Sequence, residues 1–373
     1  MKFRAFAAVA AGALLATTLN IAPAQAGGGS HHDSRTTVKN VETLIEGLGG
    51  PLKVAHGPRG SILVTESFAG MLSSVAPDGT KKVLASAPGK EIGAVSYSHG
   101  TTYYFENVAG TDENPEVVGP ALLKSISHHG KTRTITDMTK WEVKLNPDGK
   151  TVYGVRDAPQ TCLDQAPWLQ STGEVYSHPY STAVSRGNVY VGDAGGNALW
   201  KVDARGKASV LKLLPAEPVV IDDAVVAAAA EAGLTVPECM MGRTYWAQPV
   251  PTDITLRGDW LYYTVLPGSP GESMSKGKVY KMNLHSKRSY VVASGLSAPT
   301  GVSVDERGTV FVTELFGGGV SKIVKGKAVN VLPAQMASDV AISGHRIAVS
   351  TNALAPSGSI VTATLGRSHH GHH

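Results

Sequence analysis

The chain has 373 residues, with 34 Lys and Arg against 30 Asp and Glu and a formal charge of +4. That length can bury a sizeable core, while so slight a charge balance without a basic stripe argues against nucleic acid as a partner. With 42 Gly, 21 Pro and only 17% charged residues, the composition is that of many turns and many short strands.

In chain order, Lys2 and Arg4 precede an apolar run over 5–19 and the small-x-small sequence Ala24-Gln25-Ala26. This reads as a secretory signal over 1–26, cleaved after Ala26. The apolar run is short against the ~20 residues of a span. No later segment is long enough to cross a bilayer, so the expected product is extracellular, without a membrane span. Residues 27–37 read as a flexible segment.

A repeat follows, anchored on Gly60, Gly100, Gly187, Gly258, Gly308 and Gly344. Each glycine follows an alternating segment (PLKVAHG, IGAVSYS, PYSTAVS, PTDITL, PTGVSV, ASDVAIS) and precedes a β-rich run (ILVTE, TTYYFE, VYVGD, WLYYT, VFVTE, RIAVS). Alternation and β-branching say strand, and the glycine says tight turn. Two further strands usually follow, so each unit is a four-stranded antiparallel meander. The predicted fold class is all-β: a six-bladed β-propeller over 38–365. Two stretches, about 138–177 and 216–248, fall outside the repeat as partly helical inserts on one face. A short helix is expected near Asp137, and another after Asp222-Asp223, where AVVAAAAEAG follows a cap. The alternative for the first insert is a seventh blade over 141–155 around Pro147-Asp148-Gly149. The last unit lacks a fourth strand after SIVTATL, and residues 41–46 match the missing outer strand. A His-rich tail, 366–373, ends the chain; it and His31-His32 are solvated tails or loose metal binders.

Three segments, HPYSTAVSRGNVYVGDAGGNALWKVD (178–203), VPTDITLRGDWLYYTVLPGSPGE (250–272) and PTGVSVDERGTVFVTELFGGGVSKI (299–323), resemble the ScyD/ScyE family of secreted propellers, themselves similar to NHL-repeat propellers. Pro237-Glu238-Cys239 before Tyr245 is similar to its actinobacterial branch. The likeness covers most of the chain after the leader. It implies an exported propeller and, since the family has no established reaction, no particular chemistry.

In a meander, strand one starts on the face where strand two ends. The second strands end at Glu66, Glu106, Asp193, Thr264, Glu314 and Ser350, each six residues past its anchor. First strands bring Tyr180, Thr252, Asp253, Thr300, Ser338 and Asp339 toward the same mouth. The expected ligand-binding set is Tyr180, Asp193, Asn197, Thr252, Asp253, Glu314 and Asp339. Glu66, Asp253, Glu314 and Asp339 are the candidate metal ligands, with calcium the cation that such oxygens suit. The bland alternative is that strand-end acids accept backbone N–H groups in the next turn. His178 opens an innermost strand and reads as a packing or capping residue. Ser273-Met-Ser-Lys276 has the spacing of penicillin-binding enzymes but sits in a Pro/Gly hairpin rather than a helix.

Cys162 and Cys239, the only cysteines, lie in different inserts of an exported chain and are expected to form a disulfide clipping the inserts into a lid. The functional reading is a propeller that binds a small molecule, ion or extracellular partner at the mouth. The alternative is a metal-dependent lactonase of gluconolactonase type. Those enzymes carry Asn before Gly on an innermost strand, where this chain has Thr300-Gly301. A quinone-dependent dehydrogenase would want a basic, aromatic channel that the sequence lacks.

Overall fold

The computed structural model describes residues 36–108 and 119–367. The proposed leader, most of the segment after it and the His-rich tail beyond 367 lie outside these residues.

Sheet 1 comprises Pro51–His56, Ile62–Glu66, Met71–Val75 and Lys81–Ser86, and sheet 2 Glu91–Ser98, Thr101–Asn107, Ala121–Ile126 and Thr132–Asp137. Sheet 3 follows with Pro179–Ser185, Asn188–Asp193, Ala198–Val202 and Ala208–Leu213. Sheet 4 has Pro249–Arg257, Trp260–Pro267, Gly277–Asn283 and Ser289–Leu296. Sheet 5 has Pro299–Val304, Val310–Glu314, Gly319–Val324 and Lys327–Pro333. Sheet 6 takes Asp339–Ser343, Arg346–Thr351 and Gly358–Arg367 from the C-terminal end and Thr36–Leu48 from the N-terminal end. That last strand pairs antiparallel with Gly358–Arg367, from Thr37 opposite Gly366 to Leu48 opposite Gly358, and fills the place the sequence leaves open.

The six first strands pack in a closed cycle, each against the first strand of the next sheet, with sheet 6 returning to sheet 1. Strand alternation explains how the sheets stack: successive side chains point to opposite faces. In Trp260–Pro267, Leu261 and Tyr263 pack toward sheet 3, while Tyr262 packs toward sheet 5. Val64 faces sheet 6 and Leu63 faces sheet 2. Each neighbouring pair of sheets thus has its own apolar layer, the one between sheets 2 and 3 centred on the fully buried Trp200.

The expectation of six sheets alone is overturned, because a seventh four-stranded sheet exists, ordered Gln170–Thr172, Val152–Val155, Thr244–Ala247, Glu217–Val220. Each insert contributes one hairpin, and they join where Gly154 pairs with Trp246 and Val155 with Tyr245. Strands of three or four residues carry too little alternation to announce themselves. The seventh sheet does not enter the cycle of first strands, and packs instead around Cys162, Leu163, Val225 and Met240. Helix α1, Met138–Leu145, starts where expected, with the Asp137 carboxylate accepting from Thr139 N at 3.1 Å. Strand Val152–Val155 nevertheless follows the 147–149 turn, so the segment holds both the expected helix and a strand of the alternative sheet. In the second insert Asp222 caps helix α2, Asp223–Glu231, at Val225 N, 3.0 Å. Cys162 and Cys239 are disulfide-bonded, their Cα atoms 6.2 Å apart, within the ordinary range for such a bridge.

Candidate functional site

Pairing with the second strands aligns Ser181, Asp253, Gly301 and Asp339, opposite Gly192, Thr264, Thr313 and Ser350. Lys53, whose N–H donates to the Thr65 hydroxyl, takes the matching place in sheet 1, and Gly93 lies on the first strand of sheet 2. Lys53 Nζ lies 3.1 Å from Asp253 Oδ1 and donates to Thr300 O at 2.6 Å. Asp253 Oδ2 accepts from Val302 N in sheet 5 at 2.7 Å, and Asp339 Oδ2 from Val54 N in sheet 1 at 2.8 Å. Gly301 is required by this approach, since a Cβ there would stand 2.6 Å from Asp339 Oδ1. Burial raises Asp253 above the usual carboxylate range, with Lys53 pulling back. Burial, then the Asp253 charge, pushes Asp339 up to about 7, again against Lys53. Hydroxyls extend the pattern: Thr252 donates to Pro299 O at 2.6 Å and Ser338 to Leu52 O at 2.9 Å. These side chains bolt sheet 4 to sheet 5 and sheet 6 to sheet 1, while Lys53 reaches from sheet 1 to sheets 4 and 5.

Strand-end acids turn back into their own sheets. Glu66 accepts from Gly49 N, the Ser73 hydroxyl and Lys81. Glu314 repeats this with Ser297 N and the Ser321 hydroxyl. Asp193 accepts from His178 N, Gly195 N, Gly196 N and the Ser177 hydroxyl. Glu66, Asp253, Glu314 and Asp339 therefore do not meet at one point, and only Asp253 and Asp339 approach each other. Among the described residues no three His, Cys, Asp or Glu side chains form a metal-holding group. Backbone N–H groups left over by the turns claim these oxygens first.

At the end where the first strands begin lies an apolar cluster of Leu52, Tyr180, Ala194, Val250, Ala298, Leu315 and Ala353, drawn from five sheets. Tyr180 packs against His178, the rings tilted by 39° with centroids 4.6 Å apart. His178 Nε2 meets Glu91 Oε2 at 2.6 Å. Burial opposes the charged imidazole, yet Glu91 outweighs it and the pKa is raised. At the same end, Phe68 and Phe316 each stand two residues past a strand-ending glutamate and are 52% and 55% exposed. A surface cleft lined by Asp305, Arg307, Gly344 and His345 lies at the opposite end, among the anchor-glycine turns.

A second polar cluster joins Asp193 and Asn197, two predicted residues, to Glu142 and Asp148, which sequence reasoning missed. Asn197 Nδ2 donates to Asp148 Oδ2 at 2.9 Å and to Gln248 Oε1 at 3.1 Å. The Tyr153 hydroxyl donates to Asp148 Oδ2 at 3.1 Å. Burial, then Asp193 and Asp148, pushes Glu142 up to about 9. Burial likewise raises Asp148, against its bonds from Asn197 and Tyr153. One signal was available: Glu142 lies four residues after Met138 and so shares the buried face of α1.

No family model matches the chain, and no curated protein sequence matches it. Solved structures match in fold. The chain is similar to a gluconolactonase from Xanthomonas campestris at 11% identity and TM-score 0.54, over 90% of this chain and 95% of that one. It is similar to the PQQ-bound aldose sugar dehydrogenase from Streptomyces coelicolor at 13% and 0.52, over 90% and 99%. It is similar to virginiamycin B lyase from Staphylococcus aureus at 14% and 0.50, over 88% and 100%. At such identities the likeness carries the fold alone, and that fold is a β-propeller.

Proposed function

We propose that the chain is a secreted, six-bladed propeller of the ScyD/ScyE kind that binds a small molecule or extracellular partner at the end where the first strands begin. The closed cycle of six first strands supports this count, with the seventh sheet read as an insert-built accessory. Export is supported by the disulfide and by the leader-like N-terminus. No helix among the described residues is long and apolar enough to cross a membrane.

The observation that carries the binding reading is the apolar cluster at one end with Phe68 and Phe316 exposed beside it. Exposed aromatics next to a buried apolar patch mark contact surfaces. A lactonase of gluconolactonase type would need a metal at the channel. Here Lys53 already supplies the positive charge between Asp253 and the Thr300 carbonyl. The test pairs two measurements on the secreted protein. An amphipathic reporter dye should bind several-fold more weakly to the Phe68→Ala/Phe316→Ala variant. Lactone hydrolysis, with and without chelator, should stay at background. Unchanged dye binding would overturn the surface, and chelator-sensitive hydrolysis lost in Asp253→Asn would establish the lactonase instead.

A further inference from the structure

We propose that Glu142, Asp148, Asn146 and Asn197 form a calcium site that fastens the first insert to sheet 3. Glu142 is fully buried on α1, and neither of its carboxylate oxygens has a hydrogen-bond partner. Asp148 is fully buried as well, and its Oδ1 is unpartnered. The carbonyl oxygens of Asn146 and of the buried Asn197 are unpartnered too. Buried polar atoms are nearly always satisfied, and several orphaned oxygens in one place point to an occupant.

Glu142 and Asp148 both reach the loop that carries Asn197, and Asn146 lies in the turn that carries Asp148. A Cβ placed at Gly196 would lie 3.0 Å from Glu142 Oε2. The next residue, Asn197, donates its amide to Asp148 Oδ2 at 2.9 Å. Asn146 ends α1, its N–H donating to Glu142 O at 2.7 Å, and stands two residues before Asp148. Asp193, in the same loop, is already engaged by backbone amides and the Ser177 hydroxyl, and so lies beside the site rather than in it.

Charge decides what the occupant is. Among the described residues neither Glu142 nor Asp148 has an ion pair, and Asp193 adds a third buried carboxylate. The nearby basic group, His178, is committed to Glu91. Buried carboxylates need a compensating charge. Oxygen donors alone select a hard cation. Calcium takes its oxygen ligands in flexible geometry, so the five unpartnered side-chain oxygens completed by water can serve it, whereas magnesium demands a near-ideal octahedron. The proposal stands apart from the reading of the apolar end, since no residue is shared between them.

The full secreted chain, stripped with chelator, is titrated with calcium and in parallel with magnesium, while melting temperature and metal content are followed. Terbium serves as an optical probe, because Tyr153 lies against Asp148 and can sensitise its emission. The expected result is one calcium per chain, a saturable rise in melting temperature, and terbium emission that calcium quenches by competition. Magnesium should do markedly less. Glu142→Gln and Asp148→Asn should each abolish the calcium response. Should both fail to fold, Asn146→Asp supplies the readout, since an added carboxylate at that position should tighten calcium several-fold. Absence of any calcium response in the parent chain overturns the site, as does a response that survives Glu142→Gln or ignores Asn146→Asp. A chelated chain indifferent to calcium yet stabilised by Glu142→Gln would instead mean that the acids are held protonated, which also overturns it.

Discussion

Lys53 sets an ammonium 3.1 Å from the Asp253 carboxylate, with only 5% and 10% of those side chains exposed. Removing one member of a buried pair strands the other. Lys53→Met should therefore cost about 3–5 kcal/mol, as breaking buried ion pairs does. Urea unfolding measures this, and a loss below ~1 kcal/mol would refute it. The double variant with Asp253→Asn should regain part of the loss, because the carboxylate that Lys53 paired is then gone as well. Asp339, pushed up to about 7, makes stability depend on pH. Between 3.8 and that value the folded chain keeps a proton that the unfolded chain has released, so this group's contribution falls as pH rises through the window. Asp339→Asn should flatten the fall, and identical pH slopes for both proteins would refute it. Asp253 and Asp339 were legible in the sequence because the repeat marks innermost positions. Their partner was not. Lys53 occupies the same repeat position, but which positions meet across the axis depends on ring closure, which no local pattern encodes.

At the scale of elements, the clearest signal was the anchor glycine, because strand, turn and strand recur around it six times. The seventh sheet stayed hidden for a physical reason. Its strands are three or four residues long, one includes Gly154 at φ +86° and another Pro218, and its hairpins come from segments far apart in sequence. The disulfide joins those segments. Cys162 lies in a single helical turn, Gln160–Leu163, and Cys239 in the turn Glu238–Met240, 77 residues on. Closing such a loop is worth roughly 4–5 kcal/mol on chain entropy, an upper figure. Because the bridge links inserts and no two first strands, Cys162→Ser/Cys239→Ser should loosen the inserts and leave the ring folded. Limited proteolysis should then cut within 156–169 and 221–243 while the remaining chain resists. Cleavage spread across all the sheets, or protection equal to the parent protein, would each defeat this assignment.

Over the whole molecule, the strand Thr36–Leu48 decides whether the ring is closed by pairing or left open. It is the only strand of sheet 6 supplied by the N-terminal end, and it pairs with Gly358–Arg367 along nearly its full length. Leu48 is fully buried between sheets 6 and 1, and Leu44 and Ile45 pack against the same layer. Each such side chain contributes about 1.5–3 kcal/mol when fully buried, less where burial is partial or the unfolded chain is compact. Deletion through Glu46 keeps Leu48 in the chain but removes its anchoring, and leaves Gly358–Arg367 as an unpaired edge. Two consequences follow from the same cause. The melting temperature should fall by roughly 5–10 °C, the shift expected for a few kcal/mol in a chain of this size. The bare edge should also recruit other chains, since open strands template pairing. Size-exclusion chromatography should accordingly show concentration-dependent association that the full chain lacks. A synthetic peptide of residues 36–48 added in trans should reverse both effects by strand addition, and a scrambled peptide should not. Rescue separates edge pairing from a general folding defect, which no short peptide would repair. A truncated chain that stays monomeric and melts with the parent would mean that the six cores between sheets close the ring without the strand.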